Sequence, residues 1–193
     1  MTIDMKDFLS GITDILHRID YIKPEDLPNI DLYMDQVTTF MDSQLEASKR
    51  YPEDKILTKT MINNYAKNNL IPPPEKKKYT KEHILCLIFI YYFKNFLPIS
   101  DIKTILGPLT DEYFHKNADL NLEAIYTTLF SKEDTFVQEV LENVMKQFHM
   151  SADLFPDAPK ADQASLREFT FICMLSLDIY LKKQLIEAIL DKK

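Results

Sequence analysis

Glycine is almost missing from this sequence: Gly11 and Gly107 are the only two in 193 residues, against ten prolines. A chain so poor in glycine is badly supplied for the tight turns of an all-β or nucleotide-binding α/β fold, and it has no glycine-rich loop to cradle a phosphate. No cofactor is expected. Cysteine is equally scarce, with Cys86 and Cys173 both set in apolar stretches. They read as buried thiols in a reducing cytoplasm rather than as a disulfide. The apolar run Ile88-Phe89-Ile90-Tyr91-Tyr92-Phe93 falls far short of the roughly 18 residues needed to span a bilayer, so no membrane association is expected. Asp4, Asp7 and Asp14 interrupt the apolar positions at the amino terminus, unlike a secretory signal. His17, His83, His115 and His149 are scattered and form no HExxH pattern, so no metal site is expected. His83 stands one helical turn from Cys86, but Leu85 and Leu87 flank that thiol and mark it as packed and inert. No group of residues converges on a recognisable reaction, and an enzyme is not expected.

An excess of positive charge is lacking too, since the net charge is −7. Its distribution is uneven. Between Lys49 and Lys81 there are nine basic residues and three acidic ones, a local charge of +6, while the rest of the chain carries −13. A local positive field of that kind can meet phosphates while the acidic remainder faces away.

What is plentiful is helical periodicity, in a chain 46% apolar and 27% charged. Met5, Phe8, Leu9, Ile12, Ile15, Leu16 and Ile19 recur at three- and four-residue intervals and predict an opening helix closed before Pro24. Ile30, Leu32, Tyr33, Val37, Phe40, Met41 and Leu45 predict a second, running to about Ser48. Thr58 can cap a short helix over Met61, Ile62, Tyr65 and Ala66, ending near Asn68 or Asn69. Pro72-Pro73-Pro74 holds the chain extended before Lys76-Lys77-Lys78. Thr80 can cap the next helix, which is apolar almost all round from Ile84 to Tyr92 and therefore predicts a central, buried element. Ser100 can cap a short helix over Ile102, Ile105 and Leu106, stopped by Gly107-Pro108. A long helix is expected from about Leu122 to Met150. A polar connection from Asp153 to Asp162 precedes a final helix from Leu166 to Leu190, more apolar than one hairpin can bury. That surplus points to a homodimer.

Helix, tight connection, second helix, lysine-rich hairpin, third helix is the order a winged helix-turn-helix requires. In such a module a narrow helix enters the major groove and flanking cations fix it on the backbone. On the Thr58–Asn68 helix, Met61, Ile62 and Tyr65 can pack inward while Lys59, Asn63, Asn64 and Lys67 face out. Asparagine can bind adenine through two hydrogen bonds, and lysine can reach guanine or phosphate. Lys76, Lys77 and Lys78 at the tip of a stiff arm, closed by Tyr79, would form the wing.

The stretch Leu57-Thr58-Lys59-Thr60-Met61-Ile62-Asn63-Asn64-Tyr65-Ala66-Lys67-Asn68-Asn69-Leu70-Ile71-Pro72, followed by Lys77-Lys78-Tyr79-Thr80, resembles the start of a MerR-type regulator, and Ile99–Leu106 is similar to the helix that follows in that family. This resemblance covers about residues 50–107. Over about residues 4–150 the chain also resembles a family of uncharacterised proteins, a domain of unknown function, of low-GC Gram-positive bacteria. The residues that carry it are Leu27–Val37 and Met61–Tyr65. The MerR resemblance implies sequence-specific binding of double-stranded DNA as a dimer and regulation of transcription. Asn63, Tyr65 and Lys67 would then lie on the recognition helix and Lys77, Lys78 and Tyr79 on the wing. The sequence departs from the MerR pattern in three ways: Asn63 replaces a usual arginine, the wing glycine is missing, and about fifty residues precede the module.

The expected architecture is mainly all-α. Residues 1–110 would hold N-terminal helices and a MerR-like winged helix-turn-helix with a small β-hairpin wing, and 111–193 a helical region for an effector or for dimerisation. Phe89, Tyr91, Tyr92, Phe93 and Phe96 read as core or as the lining of a pocket for a small apolar effector. The competing functional reading is a protein–protein interaction module that keeps the helix-turn-helix fold without binding DNA.

Overall fold

The structure is a computed structural model and describes residues 11–12 and 21–192. The opening helix expected over Met5–Ile19 lies, apart from the helical Gly11 and Ile12, outside the described residues. Among the described residues the fold is mainly α-helical with a small two-stranded antiparallel sheet. Two compact units form, one from Ile19–Ser131 and the other from Met1–Arg18 with Lys132–Lys193. No helix among the described residues is long and apolar enough to cross a membrane.

In the first unit, the 3-10 turn Pro24–Asp26 leads to strand β1 (Leu32–Tyr33) and helix α1 (Met34–Gln44). The Tyr33 amide donates to Gln36 Oε1 at 2.8 Å, which satisfies one free amide at the start of α1. Val37, Met41 and Leu45 follow at four-residue spacing and are buried. Helix α2 (Lys59–Lys67) begins where Thr58, in extended conformation, accepts the Met61 amide at 3.2 Å. Its end is a left-handed cap. Asn69 takes φ 54°, its amide donates to Ala66 O, and the Leu70 amide donates to Tyr65 O at 2.9 Å. Asparagine supplies here the left-handed residue that glycine usually provides.

Strand β2 (Lys78–Tyr79) pairs with β1 in the register Leu32↔Tyr79 and Tyr33↔Lys78. The β structure around the lysines is accordingly minimal. Glu75 bridges Lys78 across a two-residue turn, and the ladder goes no further along that arm because Pro72, Pro73 and Pro74 have no N–H to donate. Pairing with β1 completes the sheet instead.

Helix α3 (Lys81–Phe93) is the centre of this unit, with every residue from His83 to Tyr91 buried. Helix α4 (Ile99–Tyr113) differs from expectation at both ends. Pro98 stands at its cap, its carbonyl accepting the Asp101 and Ile102 amides at 3.1 Å, and Ser100 lies inside the first turn. At the other end the helix runs through Gly107-Pro108. The clash that a proline imposes on the residue before it involves that residue's Cβ, which Gly107 lacks. The Thr110 hydroxyl donates to the Leu106 and Gly107 carbonyls at 3.1 and 3.0 Å. Helix α5 (Leu122–Phe130) is capped by Asn121, whose Oδ1 accepts the Ala124 amide at 2.9 Å. The buried Tyr126 hydroxyl donates to Ile22 O at 2.5 Å and so ties the segment ahead of the 3-10 turn to the last helix of the unit.

The single helix expected over Leu122–Met150 is two helices, broken at Ser131-Lys132. The Ser131 hydroxyl donates back to Thr128 O at 2.8 Å, and Glu133 and Asp134 then supply the carboxylates that suit a new helix start. In the second unit, α6 (Glu133–Asp153) packs on α7 (Lys160–Leu190) across the connection 154–159. The buried Phe148 and Phe171 meet edge to face, with centroids 5.3 Å apart. Much of the rest of α7 is exposed apolar surface, including Phe169, Ile172, Leu177, Leu181, Leu185 and Ile189.

Candidate functional site

Helix α2 faces outward with Lys59, Asn63 and Lys67, four residues apart, and with Thr60 and Asn64 beside them; all five are exposed. The Asn63 and Asn64 side-chain amides take no hydrogen-bond partner among the described residues. Lys59 is ion-paired with Asp35 of α1. Both groups stand in water, where such a pair contributes about 0–1 kcal/mol and exchanges readily for another anion.

The turn after the proline arm is built unusually. Lys76 and Lys77 have φ of 48° and 65°, and the Lys78 amide donates to Glu75 O at 2.8 Å. Two consecutive left-handed residues make a type I′ turn, which normally selects Asn-Gly or Asp-Gly. Lysine there costs about 1–2 kcal/mol per residue in Cβ crowding, and the turn directs two exposed ammonium groups outward. Lys78 is different. It is half-buried in β2, with its Nζ 5.8 Å from the Tyr33 ring centroid.

His83 fixes this arm to the core. Its Nδ1 accepts the Thr80 amide at 3.0 Å, the role an N3 glutamate plays in a capping box. Nε2 then carries the proton and donates to Pro72 O at 3.1 Å. Burial holds the imidazole below the ordinary histidine range, with the His115 charge acting in the same direction; the Pro72 hydrogen bond, Glu82 and Asp31 act against it. The sequence shows His83 three residues beyond a cap, but the link to Pro72 needs the fold.

Of the residues expected at a DNA interface, Lys59, Asn63, Asn64, Lys67, Lys76 and Lys77 are exposed, and Lys78 is partly so. Tyr65 and Tyr79 are only 4% and 3% exposed and belong to the core, where burial raises both phenol pKa values. Tyr79 packs edge-on to His83 at 5.5 Å and thereby ties strand β2 to α3. Elsewhere in the basic stretch, Lys49 pairs with Asp42 at 2.9 Å and Lys81 with Glu123 at 2.8 Å.

The aromatic group of α3 packs into the same unit. Phe89 meets Tyr126 edge to face at 5.7 Å, Phe130 stacks on Tyr21 at 4.9 Å, and the Tyr91 hydroxyl lies 2.5 Å from Ser48 Oγ. Burial, with the nearby Glu82 carboxylate, pushes the Cys86 thiol up to about 12, and neither cysteine is in a disulfide. A thiol so held is a packing group, not a nucleophile.

No curated protein and no solved structure matches the chain. A family model described as "Domain of unknown function (DUF1836)" matches residues 22–129. That span is more than half of the 193 residues, and it runs from the buried Ile22 through α2, the lysine turn and α3 to the penultimate residue of α5. The first unit is thus the family's own domain, and the chain belongs to the DUF1836 family.

Proposed function

We propose that this protein binds double-stranded DNA through α2 and the lysine turn, as a transcriptional regulator built like a MerR-type winged helix-turn-helix. Two observations carry the reading: the Asn63 and Asn64 amides are exposed and without a partner among the described residues, and Lys76 and Lys77, further along the chain, are exposed in a strained turn. Backbone strain that the surrounding structure must maintain is most often kept where a side chain has to be aimed. Amides on an exposed helix face can read base edges, and lysines beside it can hold phosphates. The exposed apolar face of α7 supports pairing of two copies, so that two such helices meet one duplex.

Selection from genomic duplex fragments tests this. A module making about four phosphate contacts loses affinity with salt at a logarithmic slope of roughly −3.6. Replacing Lys76 and Lys77 by alanine weakens binding to every fragment and flattens the slope. Replacing Asn63 or Asn64 relaxes preference among fragments instead. Absence of salt-sensitive binding to any fragment overturns the reading. Stable co-purification with a fixed protein partner would then favour an interaction module seated on the same exposed face of α7.

A further inference from the structure

Between the last turns of α6 and the first turns of α7 lies a cavity of about 450 Å³, within the second unit and outside the span of the family match. We infer that it binds a small free carboxylate with an apolar body, held by Arg167. The Arg167 guanidinium lies over the Phe148 ring, its central carbon 3.9 Å from the ring centroid. A guanidinium held over a ring by cation–π attraction still has N–H donors to offer an acceptor. Nε is buried and has no hydrogen-bond partner among the described residues, and Arg167 is one of the residues that line the cavity. A buried cationic donor left without an acceptor is costly, and a carboxylate accepting from Nε and Nη side by side supplies the missing partner.

Two other polar groups of the lining are already committed. Ser151 Oγ donates to Phe148 O at 2.7 Å, and Gln163 Nε2 donates to Ala158 O at 3.0 Å. Lys160 and Arg167 outweigh Glu168, the single carboxylate of the lining, and the positive end of the α7 dipole lies on the same side. Phe155, Pro156 and Phe171 supply apolar wall, and the volume is in the range of small-molecule sites. This site does not depend on whether the first unit binds DNA.

Titration calorimetry of the full chain with octanoate, against 1-octanol as the uncharged control, tests the assignment. Octanoate is expected to saturate at one molecule per chain and to bind at least about tenfold more tightly than octanol, the difference a charge-assisted hydrogen-bond pair produces. Arg167→Gln should lose the same factor. Because that variant also removes the stacking on Phe148, the side-chain Nε–H resonance of Arg167 in the unaltered protein provides a second readout, and it should shift on adding octanoate. Equal affinity for octanol, or binding that leaves the resonance unmoved, would assign the interaction to the exposed face of α7 and overturn the proposal. So would the lack of any saturable binding.

Discussion

Helices α3 and α7 are both rich in apolar residues, and their fates are opposite. All positions of α3 from His83 to Tyr91 are buried, whereas α7, more than twice as long, buries only Thr170 and Phe171. The difference lies in the neighbours. α3 is wrapped by α4, α5 and β2, while α7 has one described partner helix, α6. A helix can be covered only on as many sides as it has elements to meet, so hydropathy gives the demand for burial and topology decides whether it is met.

The largest expected effect separates the two directly. Leu87→Ala removes a side chain with no exposed surface and should cost about 2–5 kcal/mol, as transfer and cavity terms add. Denaturant melts of the variant, read against the unaltered chain, check this. A loss below about 1 kcal/mol would mean that α3 is less tightly enclosed than its burial indicates.

The next effect uses the buried histidine of the first unit, a feature the α6–α7 hairpin lacks among its described residues, since His149 is exposed. The folded His83 pKa lies below the unfolded value of about 6.5. As pH falls through that value the unfolded chain takes up a proton that the folded chain refuses. Stability is therefore full above about 7.5 and declines on acidification, by up to about 1.4 kcal/mol per pH unit until the lowered folded pKa is reached. Amide exchange in α3 should accelerate over that window, and His83→Gln should abolish the acceleration. A profile that stays flat down to pH 5 would mean that His83 does not tie down the proline arm.

A third effect concerns the lysine turn. Lys77→Gly relieves a left-handed residue and should raise stability by up to about 1 kcal/mol, while removing an outward charge. Thermal melts and salt-dependent duplex binding must then move in opposite directions. If both rise, the ammonium group has no part in binding.

The boundaries of α2 and α3 were legible because local chemistry sets them: Thr58 caps α2, Thr80 stands at the start of α3 with its amide held by His83 Nδ1, and Asn69 ends α2 in a left-handed turn. The outward row Lys59, Asn63, Lys67 was legible for the same reason, helical spacing alone. Features that depend on distant partners were not. β1 pairing with β2, Tyr126 reaching Ile22, and Lys59 meeting Asp35 all join residues far apart in the chain. Tyr65 and Tyr79 show the same limit within the candidate site, since a tyrosine beside polar residues reads equally well as contact or as core. The break at Ser131-Lys132 and the passage of α4 through Pro108 mislead pattern reading in opposite directions. In one place an apolar period continues across a real stop, and in the other a nominal stop is absorbed by the glycine before it.

The smallest effect bears hardest on the comparison. Leu181 is 60% exposed on α7, so Leu181→Ala should change the stability of an isolated chain by no more than about 0.5 kcal/mol. If two copies pair through this face, the same substitution removes a side chain that pairing would bury. It should then weaken association by roughly 1 kcal/mol or more, several-fold in dissociation constant. Light scattering over a concentration series separates the two cases, because only the paired form gives a mass that rises with concentration and a rise that Leu181→Ala displaces. A chain that stays monomeric at micromolar concentration, with Leu181→Ala silent, would leave α7 bare in water. The contrast with α3 would then be one between a finished core and a surface awaiting a different molecule.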